Sequence, residues 1–178
     1  MKRRIALLYL SALALAAGAA TGAPPAADFD TLLKRSAAAP ASIVALAGNA
    51  FITSADANAT ETITSNGLAN WSNPNTVTSV WFRMASAGSA TLSLDARLAG
   101  STSSRIRVSA NGQDFDINLT RGSTRTVNVG TINVATPGYV RVDLRGISKS
   151  GGYFGDVSAL RVSTASVLNY ANDAANYY

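Results

Sequence analysis

Two alternating runs meet at the dipeptide Asn111-Gly112, and no other feature of this chain restricts its fold so tightly. Residues Arg105 to Ala110 and Gln113 to Leu119 place apolar side chains at every second position, the period of a strand with one buried face. Asn-Gly favours the two-residue type I′ turn, whose twist matches that of the strands it joins. With that turn, Val108 faces Phe115 and Ile106 faces Ile117 on one side, while Arg107 faces Asp116 on the other. A slip of one residue would send the apolar set to solvent. The outer ion pair contributes under ~1 kcal/mol and acts mainly against slipped registers.

The same pattern recurs along the chain. Leu92, Leu94, Ala96 and Leu98 alternate with Thr91, Ser93, Asp95 and Arg97, and Val140, Val142 and Leu144 with Tyr139, Arg141, Asp143 and Arg145. Strands are expected at 50–54, 60–64, 77–85, 90–98, 105–110, 113–119, 125–134, 139–145 and 157–163. In the run Arg125 to Val134 the apolar parity changes at Gly130, as it does at a bulge or bend. Short strands separated by Gly, Asn and Pro imply an all-β, antiparallel β-sandwich of about eight or nine strands. No period of 20 to 50 residues recurs, which excludes a repeat array.

The expected domain organisation follows composition. Lys2, Arg3 and Arg4 precede an apolar run from Ile5 to about Ala17, and small residues around Ala17, Ala19 and Ala23 offer cleavage sites. Residues 1–23 therefore read as a signal peptide and the mature chain as secreted or periplasmic. Residues 24–46 read as an Ala/Ser/Pro-rich linker, 47–164 as the β-sandwich module and 165–178 as a C-terminal segment. No later apolar run approaches the ~18 residues that span a bilayer, so no membrane association is expected after cleavage. Three of the 15 basic residues leave with the signal, so twelve stand against 10 acidic ones. They are scattered along strands without a cluster interleaved with aromatics, which argues against nucleic acid as a partner.

Histidine and cysteine are both absent. That removes the usual general base, Ser-His triads, thiol nucleophiles and the commonest transition-metal ligands. Glu61 is the only glutamate, and the aspartates are dispersed. Asp114 and Asp116 read as a solvated hairpin face rather than the paired carboxyls of glycosidic chemistry. No catalytic residue is assigned and a non-enzyme is expected.

What remains is equipment for binding. Trp71 lies in the turn-rich loop SNGLANWSNPNT, and Tyr153 and Phe154 in the glycine-rich loop after the strand Tyr139 to Arg145. Two readings are open for each ring: a flat apolar surface for a ligand, or a plug packed under its own loop. On the binding reading, Trp71 and Tyr153 converge at one end of the sandwich and line a sugar ring, with Asn73, Asn75 and Arg83 as polar contacts. Trp81 shares a strand face with Arg83, opposite Val80, Phe82 and Met84. The pattern leaves open whether another segment covers it or it belongs to a flat binding face.

GLANWSNP (67–74), SVWFRM (79–84), VGTINV (129–134) with PGYVRVDLRG (137–146), and GGYFGDVSALRV (151–162) together resemble the domain of unknown function 5077 family, over about Ala47 to Ser163. The resemblance implies a secreted bacterial module that usually precedes a second domain, domain of unknown function 3472. That domain starts near an aromatic run such as the one reached at Asn176-Tyr177-Tyr178. It carries no established activity or catalytic set. It implies a jelly roll, galactose-binding-like and similar to carbohydrate-binding ones, hence a polysaccharide or glycan partner and a non-catalytic accessory role. The alternative is a structural sandwich packed on the neighbouring domain. In sugar-binding jelly rolls of this type a calcium ion often sits between the first strand and the acid before the last. Asp156 matches the second position, while Gly48, Asn49 and Ala50 supply no carboxylate at the first. No other cofactor is implied.

Overall fold

The computed structural model describes residues 41–170 as ten strands and one short helix. In chain order these are β1 (Ser42–Ala45), α1 (Leu46–Asn49), β2 (Ala50–Ser54), β3 (Thr62–Thr64), β4 (Gly67–Ala69), β5 (Val77–Met84), β6 (Gly88–Ala110), β7 (Gln113–Val134), β8 (Gly138–Lys149), β9 (Asp156–Ser163) and β10 (Leu168–Asn169). The signal-like stretch, most of the linker and residues 171–178 lie outside the described residues.

The hairpin at Asn111-Gly112 organises everything else. Both turn residues have positive φ, 48° and 74°, as type I′ geometry requires. The register is the expected one: Val108 opposite Phe115, Ile106 opposite Ile117 and Arg107 opposite Asp116. Arg107 Nε lies 2.7 Å from Asp116 Oδ1, and Arg105 Nη2 lies 2.8 Å from Asp116 Oδ2.

β6 and β7 are each far longer than the two short strands expected in their place, because each continues through a corner. Ser104 to Ala110 of β6 pair with β8, whereas Thr91 to Arg97 pair with β9. One hairpin thereby serves both layers. Its β6–β7 register shifts between Leu98 and Ser103, which marks the corner. The expected irregularity at Gly130 is present as well: Leu92 faces Gly130, Ser93 faces Asn128, and Val129 is left over. A Cβ at Gly130 would stand 2.3 Å from the Phe115 ring, so the ring packs where only glycine leaves room.

All strand pairs are antiparallel, in the order β10-β5-β8-β6-β9-β4-β3, with β1 added on β9, β2 on β5 and β7 on β6. The result is an all-β sandwich closed nearly into a barrel. Its core takes the inward residues of the alternating runs: Val80, Phe82 and Met84 of β5, Leu92, Leu94, Ala96 and Leu98 of β6, and Val140, Val142 and Leu144 of β8 are all buried.

The module extends beyond the expected limits of 47 and 164. β1 pairs Val44 with Leu160 and buries Val44, and β10 pairs Asn169 with Arg83. Both edge strands are too short to carry a periodic signal, and each is ordered only by the neighbour it lies against. β4 was likewise not expected; Gly67 lets it approach β9 so closely that a Cβ would meet the Val157 carbonyl at 2.3 Å.

Asp95 on the outer side of β6 accepts Arg161 Nε at 2.7 and 2.9 Å and Thr126 Oγ1 at 2.7 Å. The hydrogen bond from Arg161 holds the Asp95 carboxyl below its ordinary value of 3.8. A carboxyl depressed in the folded state adds stability above its unfolded pKa, and this is lost as pH falls through the folded value. In urea unfolding Asp95→Asn should be less stable than the parent at pH 7. The difference should shrink as the pH falls below the ordinary aspartate range. A difference that persists undiminished at low pH would show that the pair is not its source.

Candidate functional site

The loop joining β4 to β5 folds onto a buried carboxylate. Glu61 Oε1 accepts the backbone N–H of Ser72 at 2.8 Å and also that of Asn73. Asn73 Oδ1 accepts the Asn75 N–H at 2.8 Å, an Asx turn. Lys149 then ties this loop to the β8–β9 loop, donating to the Ser72 carbonyl at 2.6 Å and the Gly152 carbonyl at 2.5 Å. The Phe154 N–H donates to the Trp71 carbonyl at 2.8 Å.

The two loops therefore converge as expected, but Trp71 and Phe154 turn their rings inward while Tyr153 stays exposed. Trp71 is 0% exposed and packs on Phe154 at a centroid distance of 5.4 Å. This corrects the assignment of Trp71 as a ligand-stacking residue. The physical reason is area: an indole covered by its own loop removes far more apolar surface from water than one left at a rim. Trp71→Ala should cost about 3–5 kcal/mol of stability, as a cavity in a packed core does. A urea midpoint close to that of the parent would refute this placement.

The remaining expected contacts are dispersed. Asn73, followed by the Asn58 N–H and Asn75, hydrogen-bonds to Asp56 and holds its carboxyl below the ordinary range. Both asparagines thus bind the β2–β3 loop to the β4–β5 loop. Tyr153 is 41% exposed and lies across Gly100, where a Cβ would stand 2.6 Å from its ring. The hollow it shares with Asn70, Ala99, Gly100 and Asp156 holds about 140 Å³, below the ~300 Å³ at which small-molecule sites begin. Arg83 stands at the far end of β5, opposite Tyr139 and Asn169. Six residue steps along β5 separate it from Val77, at the strand end nearest the Trp71 loop, about 20 Å. The five residues Trp71, Asn73, Asn75, Arg83 and Tyr153 do not form one site.

Asp156 has a partner already. Arg97 approaches its Oδ2 through Nη2 at 2.5 Å and Nε at 3.2 Å. No group of three or more His, Cys, Asp or Glu able to hold an ion lies among the described residues. A calcium ion at Asp156 would have to displace a guanidinium and find its other oxygens elsewhere, so the residues present do not fit one. Millimolar calcium or a chelator should leave the thermal midpoint unchanged. A calcium-dependent rise would overturn this.

A different surface has the features of a binding face. On the outward side of β2, β5 and β8, Phe51 meets Trp81 edge-on at 5.9 Å and 62°, and Arg141 lies 5.6 Å over the Trp81 ring. Tyr139, two residues before Arg141 on β8, is 77% exposed, and Phe51 is 51% exposed. With Gly48, Asn49, Asn169 and Tyr170, these rings line an open hollow of about 690 Å³. That is within the range of small-ligand sites, and its floor is aromatic. Trp81 was visible in the sequence with its role undecided. Phe51 and Tyr139 join it only through the register of β5 against β2 and β8.

The chain belongs to the family described as Domain of unknown function (DUF5077), whose match covers residues 44–167. No curated protein matches the sequence. Among solved structures the fold is that of jelly-roll carbohydrate-binding modules. It is similar to the CBM36-1 domain of a multidomain xylanase from the hindgut metagenome of Trinervitermes trinervoides, with a TM-score of 0.57, 17% identity, and 71% of this chain and 99% of that one covered. It is also similar to CBM35 from Cellvibrio japonicus Abf62, with a TM-score of 0.53, 18% identity, and 74% and 98% covered. A GH26-CBM35 β-(1,4)-mannanase from Podospora anserina matches with a TM-score of 0.51 and 12% identity over 71% of this chain. This chain spans 28% of the mannanase's length.

Proposed function

We propose that this protein is a secreted, non-catalytic carbohydrate-binding module that holds a glycan on the Phe51–Trp81–Tyr139 face. The observation that carries the reading is the open hollow floored by these rings, two of them more than half exposed, on the outside of a rigid sheet. The apolar C–H face of a pyranose lies flat on such rings while its hydroxyls reach polar groups at the edge. Arg83, opposite Tyr139 and Asn169 in the sheet register, supplies donors there, and Asn169 supplies both donors and acceptors. Strands rather than mobile loops hold the rings, so little order has to be gained on binding.

The non-catalytic part rests on the acids. Asp95, Asp116, Asp143 and Asp156 are each engaged by arginine, and Glu61 is buried under backbone donors. With no histidine or cysteine in the sequence, no group on the face is available to move a proton at neutral pH. Export rests on the basic and apolar stretch at the start of the sequence. Among the described residues no helix is long and apolar enough to cross a membrane.

Affinity electrophoresis against a panel of plant, algal and bacterial polysaccharides tests the proposal. The parent should be retained by at least one of them. Trp81→Ala and Tyr139→Ala should each lose retention about tenfold or more, which corresponds to ~1.4 kcal/mol. Tyr153→Ala should be retained like the parent. Absence of any retention of the parent, or loss in Tyr153→Ala alone, would overturn the assignment. Tyr139 is exposed enough that its removal leaves the core intact, so the thermal midpoint separates a binding effect from unfolding.

A second reading makes the same face a seat for a neighbouring domain. It is supported by Phe51 and Tyr139, which leave apolar ring surface in water on this face at exposures of 51% and 77%. On that reading Trp81→Ala would lower the stability of a longer two-domain protein and leave glycan retention unchanged.

A further inference from the structure

We infer that the glycan taken by this face is anionic, bearing carboxylate or sulfate groups, and that Arg145 contacts its charge; this rests on the glycan-binding reading above. The aromatic hollow does not end at Trp81. Arg141, which covers that ring, also lines a second hollow of about 350 Å³ on the same outward side, with Arg107, Arg145, Thr53, Asp114 and Asp143 around it. One continuous face therefore runs from apolar rings to guanidinium groups.

The charges of the second hollow do not balance. Three guanidinium groups meet two carboxylates. Asp143 is taken by Arg141 Nε at 2.7 Å and by the Ser79 hydroxyl at 2.5 Å. Asp114 accepts the Ser109 hydroxyl at 2.6 Å and lies 3.5 Å from Arg107. Arg107 is further held by Asp116 at 2.7 Å. Arg145 is left with neither carboxylate nor hydrogen-bond partner among the described residues, although it stands directly opposite Arg107 in the β6–β8 register. Like charges facing each other across antiparallel strands are destabilising; Asp114 and Asp116 answer Arg107, so the charge left for an anion to meet is that of Arg145. A guanidinium offers five N–H donors in a fork that fits carboxylate and sulfate oxygens.

Arg83 repeats the arrangement at the other end of the rings, also without an ionic partner among the described residues. Trp81 lies between the two free arginines along β5, four residues from Val77, which pairs with Arg145, and two from Arg83. An extended polyanionic chain on the rings would meet positive charge on both sides. A neutral glycan would leave both guanidinium groups unanswered.

The test uses polymers that differ in charge alone. Retention of the parent should be measured on polygalacturonate and its fully methyl-esterified form, and on dextran sulfate and dextran, each at 20 and 300 mM salt. Stronger retention on the charged member of either pair, weakened by salt, supports the inference, and the pair that responds tells carboxylate from sulfate. Arg145→Gln should weaken that retention about tenfold and flatten its salt dependence, while Trp81→Ala abolishes it. The Arg145 side chain makes no hydrogen bond or ion pair among the described residues, and a thermal midpoint no lower than the parent's in Arg145→Gln assigns the loss to binding. Equal retention on charged and neutral members, or charged retention that survives both Arg145→Gln and Arg83→Gln, would overturn the inference and leave glycan binding standing. No retention on any polymer, neutral or charged, would instead overturn the glycan-binding reading beneath it.

Discussion

The β6–β7 hairpin is the constraint on which the rest of the structure depends. Its two strands pass through both layers, giving β8 an edge in one and β9 an edge in the other. Register is therefore transmitted rather than set separately in each sheet. If Asn111-Gly112 did not pin Val108 against Phe115, the inward residues of β7 would turn to solvent against β6. The outward set of β8, which includes Tyr139, Arg141 and Arg145, is fixed by its registers against β5 and β6.

The aromatic residues divide by what lies above them. Trp71, Phe82 and Phe154 are covered and add their area to the core, and Phe115 fills the space over Gly130. Phe51, Trp81 and Tyr139 sit on strands that, among the described residues, have no other layer packed against their outer side. A loop can bend back and bury its own ring, as the Trp71 loop does with Glu61 holding its backbone. A sheet cannot do so, because its outward residues point away from the core at every second position. Exposed rings on strands are thus held exposed by geometry, and they are preorganised for a flat ligand.

Electrostatics follows the same division. Each ion pair in the described residues consumes an acid, and together they leave no carboxylate free to act as an acid or base on the aromatic face. Arginine is in excess, and the excess falls where β5, β6 and β8 lie side by side. That placement separates a face suited to holding a ligand from one suited to transforming it.

Period-two alternation and one strong turn are local signals, and they sufficed to read the sandwich, the pairings across Asn111-Gly112, the irregularity at Gly130 and the inward sets of β5, β6 and β8. The family, too, was legible in short motifs. β1, β4 and β10 were not, because strands of two to four residues exist only through the neighbour they pair with. The site was the least legible part. An aromatic in a polar loop carries the same sequence signature whether it faces water or the core, so Trp71 and Tyr153 looked alike and differ only in which one their loops cover. Phe51, Trp81, Tyr139 and Arg145 are spread over 95 positions of a 178-residue chain, and nothing local connects them. Sequence alone determined that each of the last three points to the side opposite its apolar neighbours. Which of those outward residues stand together was decided by tertiary structure, since cross-strand register is a property of the assembled sheet and not of any one strand.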